Sequence, residues 1–142
     1  MALIYKGAGI LFYRFRPDGQ PTLFLFRRKY DRGNGLYSLP GGGRNKNDRS
    51  LEDCDIRETY EEIDIRVNPE QLRSQMRIFL IFFNWKIFFV ELKDDPRQFK
   101  FNHEFSDVRE VTPKEANQLP LTFSMKYTLF CFNRYIRKQR PS

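Results

Sequence analysis

Three glutamates in the first half of the chain have the spacing of a shared helix face. Glu58, Glu61 and Glu62 stand at positions i, i+3 and i+4 of a segment, Ser50 to about Ile63, whose pattern predicts a helix. At roughly 100° per residue, this spacing places the three carboxylates on one side. Such like charges repel each other, and a divalent cation relieves the repulsion because Mg²⁺ and Mn²⁺ prefer carboxylate oxygens. The spacing therefore indicates a metal site, although a solvated acidic helix face has the same pattern.

Three consecutive glycines stand directly before this acidic segment. Gly41, Gly42 and Gly43 predict a loop that brings bare backbone close to a ligand. The N-terminus of the helix that follows favours anions. Carbonyls and amides of the loop can therefore meet both a metal ion and phosphates. The glycine loop and the acidic helix are each weak evidence alone, but their fixed spacing favours a site for a phosphate compound with its metal.

Residues 43–65 resemble the Nudix box, G-x5-E-x7-R-E-U-x-E-E-x-G-U, in which U is a bulky aliphatic residue. The residues that match this pattern are Gly43, Arg57, Glu58, Glu61, Glu62 and Ile65. The preceding Leu39-Pro40-Gly41-Gly42 looks like the usual lead-in of the family. Residues 102–116 are similar to a downstream family segment that reads roughly E-H-x-D-x-R-W-V-x-x-E-E-A. The chain therefore resembles the MutT-like Nudix hydrolases over most of its length.

This resemblance implies an α/β fold, a Nudix-type α/β/α sandwich with a mixed β-sheet between helices, and one domain over residues 1–142. It also implies the activity, which is metal-dependent hydrolysis of a phosphoanhydride bond in a nucleoside diphosphate derivative. The implied cofactor is Mg²⁺ or Mn²⁺. The metal ligands that the resemblance implies are the backbone at Gly42 and the side chains of Glu58, Glu61 and Glu62.

The chain departs from the box at three positions. Arg49 stands where the box has its first Glu, which in the family typically pairs with the box Arg. An Arg facing Arg57 reverses the electrostatics, and Asp48, Glu52 or Asp53 is expected to take over after a small shift. Asp64 replaces the late Gly of the box, and we expect a small effect because Asp tolerates a left-handed backbone. Thr59 replaces the aliphatic residue that follows the Arg-Glu pair of the box.

The catalytic residues that the resemblance implies are Arg57, Glu58, Glu61 and Glu104. Arg57 would steady the carboxylates of the helix by a charge-assisted pair. A carboxylate must help to take the proton of the attacking water, and Glu61, Glu62 and Glu104 are the candidates. His103 is the single histidine, with a pKa suited to proton transfer, although a lone histidine is more often structural.

Residues that could bind the substrate come from the glycine loop and from the end of a predicted strand. Gly43 offers backbone to phosphates, and Arg27 and Arg28 could hold phosphates or form a surface pair. Trp85, Phe99 and Phe101 could stack on a base, but packing within the protein is an equally good explanation for each ring. The substrate itself stays open.

Periodicity predicts the elements that must position these residues. The predicted strands are residues 7–14, 22–28, 36–39, 65–67, 76–83, 86–92 and 107–111, with turns at residues 17–19 and 84–85 and a turn or brief helix at 68–70. The predicted helices are residues 50–63, capped by Asp48 or Ser50, 113–119, capped by Thr112, and 123–136. Met125, Leu129, Phe132 and Ile136 form the buried face of the last helix. Residues 93–104 are predicted to form a loop.

Composition limits the class of protein and its partners. The chain has 142 residues, 40% of them hydrophobic, and a net charge of +7, which favours phosphate-rich partners such as nucleotides or RNA. The two cysteines match no metal-ligand spacing and favour a reducing compartment. No signal peptide or membrane-spanning run is evident, so we expect a cytoplasmic protein with no membrane partner. A homodimer is also possible for this kind of fold.

Two functional hypotheses follow. The first is the metal-dependent hydrolase, which rests on the set Arg57, Glu58, Glu61 and Glu62. The second is a weakly active or inactive Nudix-fold module that binds nucleotide or RNA, which rests on Arg49 and the positive net charge. The first is favoured, because a cluster of three carboxylates is costly to keep without a metal.

Overall fold

The computed structural model describes residues 5–29, 35–72, 74–80, 83–92, 99–101 and 105–139. In this part of the chain the strands are β1 (Tyr5–Phe15), β2 (Pro21–Arg28), β3 (Tyr37–Ser38), β4 (Gly41–Gly43), β5 (Ser74–Leu80), β6 (Phe83–Glu91) and β7 (Phe105–Val111). The helices are α1 (Leu51–Ile63), α2 (Pro113–Ala116) and α3 (Phe123–Gln139), and a short 3₁₀ helix spans Pro69–Gln71.

The strands form one mixed sheet. Its main path runs β3-β2-β1-β6-β5, with β4 paired to β1 and β7 paired to β2. The long central pair, β1 with β6, is parallel, and the other described pairs are antiparallel. The predicted α/β class with a mixed sheet is confirmed.

Both faces of the sheet are covered, as the unbroken apolar runs predict. Successive strand residues point to opposite faces. Ile10 and Phe12 of β1 belong to one core together with Ile63 of α1. Leu11 and Tyr13 belong to a second core. That second core includes the predicted face of α3, which is Met125, Leu129, Phe132 and Ile136. The sheet therefore lies between α1 on one side and α3 on the other.

Two predicted local features are wrong. Residues 65–67 are irregular, and Val67 is buried in the core without strand pairing in the described part of the chain. Asn84 and Trp85 do not form a turn, because they lie within β6 opposite Phe79 and Ile78. The parallel pairing of Trp85 with Gly7 explains this second difference, since the indole packs where Gly7 has no side chain.

The predicted turn at residues 17–19 and the predicted cap of α2 are confirmed, whereas two helix ends differ from the prediction. The turn at residues 17–19 contains Gly19 in a left-handed conformation, with φ 87°. Thr112 caps α2 by accepting a hydrogen bond from the Glu115 amide, and the Glu115 carboxylate accepts one from the Thr112 amide in return. Helix α2 ends at Ala116, three residues before the predicted Leu119, and α3 continues three residues past the predicted Ile136. Of the predicted loop 93–104, only residues 99–101 are described, and they are irregular.

Candidate active site

The three glycines that were predicted to form a loop form the strand β4 instead. Gly41, Gly42 and Gly43 pair antiparallel with Gly9, Ala8 and Gly7 of β1. Gly41 has φ 149°, and a Cβ there would clash with the Ala8 carbonyl oxygen. Only glycine fits this close approach of two backbones, so the structure explains Gly41 by strand pairing. The pairing fixes the glycine backbone beside α1.

Helix α1 begins and ends as the sequence predicts. The Ser50 side chain accepts a hydrogen bond from the Asp53 amide at 3.1 Å, so Ser50, one of the two predicted residues, is the cap. Asp64 ends the helix with φ 60° and ψ 33°, and its amide donates to the Tyr60 carbonyl. Asp64 thus adopts the left-handed conformation expected at the position of the missing glycine.

The carboxylate of Glu58 lies directly against the backbone of Gly42. A Cβ added to Gly42 would come 2.6 Å from the Glu58 carboxyl carbon and 2.8 and 2.9 Å from its two oxygens. The Glu62 side chain is 1% exposed, and its Oε1 accepts a hydrogen bond from the Gly41 amide at 3.1 Å. Two of the three glutamates are therefore held at the glycine strand.

Arg57 links the glutamates to one another. Its Nη1 lies 3.1 Å from Glu58 Oε1 and 3.3 Å from Glu61 Oε2. Its Nη2 also donates to the Gly43 carbonyl at 3.4 Å. These contacts hold the Glu58 and Glu61 carboxylates close to one cation, which offsets their mutual repulsion in the absence of a metal.

Asp48 is the partner that fixes Arg57. The two side chains form a bidentate pair, with Arg57 Nε at 3.0 Å from Asp48 Oδ1 and Nη2 at 2.9 Å from Oδ2. The hydrogen bond from Arg57 holds the pKa of Asp48 below its usual range. The same pairing raises the pKa of Arg57 further. Asp48 therefore performs the role expected of the first glutamate of the box.

The expectation that Arg49 faces Arg57 is wrong. The Arg49 side chain is 94% exposed, and its Nε lies 3.8 Å from Asp53 Oδ2 across one helical turn. The Arg49 side chain therefore points into solvent just before α1, where it forms an exposed ion pair with Asp53. The reversal of electrostatics at Arg57 does not occur.

A tight loop turns Asp48 inward. The Asn45 amide donates to Asp48 Oδ2 at 2.9 Å, and the Asp48 amide donates to the Asn45 carbonyl at 3.2 Å. Arg44 secures the same loop by donating to the carbonyls of Asp48 and Arg49, each at 3.1 Å. Asp48, Glu52 and Asp53 were the alternatives that the sequence offered as partners of Arg57, and these contacts distinguish Asp48. The signal that could have predicted a turn here is Asn45, whose side chain accepts the amide of Asn47 two residues later at 2.9 Å, as in an Asx turn.

The donors suit a hard divalent cation. They are the carboxylates of Glu58 and Glu62, which are held at the glycine strand, and that of Glu61, which Arg57 joins to Glu58. All of them are oxygen ligands. Glu61 is the outermost, with a side chain 54% exposed, whereas Glu62 is buried. Within the described residues, no three acidic, histidine or cysteine side chains already surround one point. The set fits Mg²⁺ or Mn²⁺ in donor type and in its contact with the glycine backbone.

Cys54 is a contact that the sequence analysis missed. Its Sγ lies 3.4 Å from the Gly42 carbonyl oxygen, to which the thiol donates. Burial raises the pKa of Cys54 to about 12, so the thiol keeps its proton. Cys54 precedes Glu58 by four residues, which places both on the face of α1 that meets β4. This spacing of four residues is the sequence feature that could have predicted the contact of Cys54 with β4.

Beneath α1 lies a second polar pair that the sequence analysis did not single out. Asp55 and Thr59, one turn apart, are both fully buried. Neither oxygen of the Asp55 carboxyl has a hydrogen-bond partner in the described part of the chain. Burial raises the pKa of Asp55 well above its usual range. Burial under the helix therefore favours the protonated form of this carboxyl.

The predicted substrate-binding arginines lie at the end of β2. Arg27 is exposed and pairs in the sheet with Tyr37 of β3 and Asp107 of β7. Arg28 is partly exposed, and its amide donates to the Leu36 carbonyl. Their contacts with phosphate remain a prediction, as does the role of Glu104, which together with His103 lies outside the described residues.

A family model, that of the NUDIX domain, matches residues 5–130. The chain belongs to the NUDIX domain family. The match covers the glycine strand, the acidic helix and the first eight residues of α3. A comparison with curated proteins gives no significant match.

Three solved structures share the Nudix fold of this chain. A Nudix hydrolase from M. smegmatis, RenU, has a TM-score of 0.76 at 18% identity, over 100% of this chain and 91% of that one. The NUDIX domain of Shewanella oneidensis NrtR, complexed with ADP ribose, has a TM-score of 0.74 at 16% identity, over 96% and 90%. A C. elegans Ap4A hydrolase has a TM-score of 0.71 at 19% identity, over 95% and 99%. At these identities the likeness shows the fold.

Among the described residues, no helix is long and apolar enough to cross a membrane.

Both cysteines are free, with Cys54 buried and Cys131 partly exposed.

Proposed function

We propose that this Nudix protein hydrolyses a phosphoanhydride bond in a nucleoside diphosphate derivative, using Mg²⁺ or Mn²⁺. One observation carries the proposal. The Glu58 carboxylate lies against the bare backbone of Gly42 while Arg57 joins Glu58 to Glu61. This arrangement concentrates carboxylate oxygens at a strand without side chains, where a phosphate compound and its cation can approach.

The glutamates of α1 have different tasks in this proposal. Glu58 and Glu62, held at the glycine strand, and Glu61, which is half-exposed, hold the cation together with the Gly42 carbonyl. When bound, the cation polarises the phosphate, neutralises its charge and lowers the pKa of a water molecule. Glu61 is open to solvent and can accept the proton of the attacking water. Glu104 stays a second candidate for that proton.

The remaining residues position or contact the substrate. Arg57 and Asp48 keep the carboxylates in place, and we assign phosphate contacts to Gly43, Arg27 and Arg28. Of the three candidate rings, Phe99 packs against Phe12, Phe24 and Phe26 and is therefore part of the core. Phe101 is 38% exposed, so it is the better candidate to stack on a base.

The substrate class is supported by the known proteins of the same fold. The NrtR domain was solved with ADP ribose, and the C. elegans protein is an Ap4A hydrolase. Both compounds carry an adenosine on a chain of phosphates joined by phosphoanhydride bonds. The alternative of a binding module without hydrolysis rested on Arg49 and on the net charge of +7, and the ion pair of Asp48 with Arg57 removes the argument from Arg49. We therefore propose the enzyme.

The test is a phosphate-release screen over nucleoside triphosphates, nucleotide sugars, ADP-ribose, dinucleoside polyphosphates and capped RNA. Each reaction is run with Mg²⁺, with Mn²⁺ and with EDTA, and pyrophosphatase or phosphatase reveals the products. The proposal predicts turnover of one compound class that EDTA abolishes. Turnover that persists in EDTA, or folded protein that binds metal yet cleaves no compound in the panel, would contradict it.

A further inference from the structure

The outward face of α3 carries an exposed row of aromatic rings. Phe123, Tyr127 and Phe130 are 86%, 50% and 59% exposed. Their spacing, i, i+4 and i+7, places them on one side of the helix, over about 10 Å of its length. The opposite side is the buried face of α3 described above. Large rings rarely stay this exposed in a row without a partner, so the row indicates a binding surface.

The same helix is strongly basic. It carries Lys126, Arg134, Arg137 and Lys138, and α3 contains no Asp or Glu. At roughly 100° per residue, all four cations fall on the same side as the rings. The first half of this surface is thus mainly aromatic and the second half cationic. We call the three rings and four cations together the α3 surface.

A cavity continues the α3 surface at its basic end. It has a volume of about 280 Å³, and its lining includes Arg137 and Asn133 of α3, Lys114 of α2 and Gln20. Two cations and two side-chain amides give it several hydrogen-bond donors, which suits a phosphate. The neighbouring Glu115 carboxylate already accepts the Thr112 amide. The cavity therefore extends the positive surface beyond the helix.

We propose that the α3 surface binds single-stranded nucleic acid, with bases stacked on the rings and phosphates held by the cations and the cavity. Rows of aromatic rings beside cations are the usual means of binding such strands. An amphipathic helix that lies on a membrane places its cations and its apolar rings on different faces, whereas here they share one. A second copy of the chain would bring four more α3 cations and no α3 carboxylate. Charge complementarity thus favours the polyanion.

This binding is separate from the hydrolysis proposed above. Helices α1 and α3 pack on opposite faces of the sheet, so a strand bound on α3 does not occupy the glycine strand or the glutamates. The two functions can therefore be tested independently. Binding is measured in EDTA, which leaves the proposed metal site without its ion.

The experiment measures fluorescence anisotropy of a labelled oligouridylate, and of the matching DNA strand, of about 12 nucleotides. The full chain is titrated at low salt and then at increasing KCl. We expect affinity that falls with salt. The triple variant Phe123→Ala, Tyr127→Ala and Phe130→Ala should bind at least about tenfold more weakly. In the double variant Arg134→Gln with Arg137→Gln, the slope of log affinity against log salt concentration should become shallower by about 0.7 for each phosphate contact removed.

The matched control is Lys6→Gln with Lys100→Gln, which removes the same charge from exposed positions outside α3. It should keep the affinity and most of the salt slope. Unfolding midpoints of all variants confirm that the fold is retained, which is expected because every substituted side chain is exposed. Equal losses in the two charge variants, or wild-type binding by the ring variant, would overturn the assignment to α3.

Two other occupants are outcomes of the same test. Light scattering reports self-association, and sedimentation with phosphatidylserine vesicles reports lipid binding. The proposal is overturned if the wild-type chain leaves the oligonucleotides unbound at low salt. In that case, a dimer that is lost in the ring variant would indicate a second copy of the chain as the occupant. Vesicle binding that is lost in the ring variant would indicate a lipid surface. Oligonucleotide binding that depends on the rings supports it.

Discussion

Asp48 and Arg57 are joined by two hydrogen bonds, with Nε–Oδ1 at 3.0 Å and Nη2–Oδ2 at 2.9 Å. Through Arg57, this pair holds the Glu58 and Glu61 carboxylates close to one guanidinium. The side chain of Asp48 is almost completely buried, whereas that of Arg49, where the family has its first glutamate, is in solvent. The pair thus connects the loop before α1 to the proposed metal-binding residues.

Asp48→Asn should weaken both stability and activity. The change keeps the shape of the side chain but removes one charge-assisted hydrogen bond, at a cost of about 2 kcal/mol in the free energy of unfolding. Because Arg57 then positions Glu58 and Glu61 less well, kcat should fall about tenfold to a hundredfold. Urea unfolding and steady-state kinetics measure the two effects. An unchanged kcat would show that Asp48 has no positioning role.

Arg49→Glu is the matched rescue. In the wild-type background it should change little, because Arg57 is already paired with Asp48. In the Asp48→Asn background it should restore part of the lost kcat, since a glutamate at that position is the usual partner in the family. Titration of metal affinity in the four proteins adds an independent readout. If Arg49→Glu gives the same effect in both backgrounds, the two positions do not share a role.

Gly42→Ala should impair catalysis more than stability. The new Cβ would meet the Glu58 carboxylate at 2.6 to 2.9 Å, so the carboxylate must move away from the backbone. We expect kcat to fall by about tenfold or more, because displaced ligands alter the metal site. Gly19→Ala is the control, as it strains a left-handed turn at a cost of about 1 kcal/mol but has no atom within 4 Å of the new Cβ. Equal kinetic losses in the two variants would contradict the prediction.

Asp55→Asn should change how stability depends on pH. Burial raises the pKa of Asp55, so the folded chain keeps a proton that the unfolded chain releases above about pH 4. Wild-type stability is therefore lost as the pH rises towards the folded pKa, by about 1.4 kcal/mol per pH unit. The variant lacks this loss, so its stability relative to that of the wild type should increase as the pH rises above about 5.

Urea unfolding at several pH values measures this difference, and Asp53→Asn, an exposed carboxylate on the same helix, is the control. The difference between Asp55→Asn and the wild type should grow with pH, and more steeply than that between Asp53→Asn and the wild type. A constant difference for both variants would mean that Asp55 titrates alike in the folded and unfolded chains.

The sequence predicted the parts of the site that depend on local spacing. The i, i+3, i+4 glutamates, the Ser50 cap and the left-handed Asp64 all follow from helix periodicity and backbone preference. The resemblance to the box identified Arg57 and the glycines as belonging to the same site. The sheet between two layers of helix followed from strands buried on both faces, and its mixed pairing from the resemblance to the family.

What the sequence could not predict depends on contacts between distant segments. The inward turn of Asp48 requires the hydrogen bonds of Asn45 and Arg44, and the pairing of β4 with β1 requires the glycines of both strands. The Cys54 contact and the buried Asp55 appear only when α1 is packed on the sheet. Periodicity alone assigns such residues to a face, without saying which atoms they meet.

The central claim is that the glutamates of α1 carry metal-dependent hydrolysis, and it is tested most directly by Glu61→Gln and Glu62→Gln. Both variants should fold, because Glu61 is half-exposed and a glutamine at position 62 can still accept the Gly41 amide. The measurement is kcat with Mg²⁺ on the best compound of the screen, alongside the unfolding midpoint. We predict a loss of about a hundredfold or more in each variant with little change in the midpoint. Wild-type turnover in both folded variants would contradict the account.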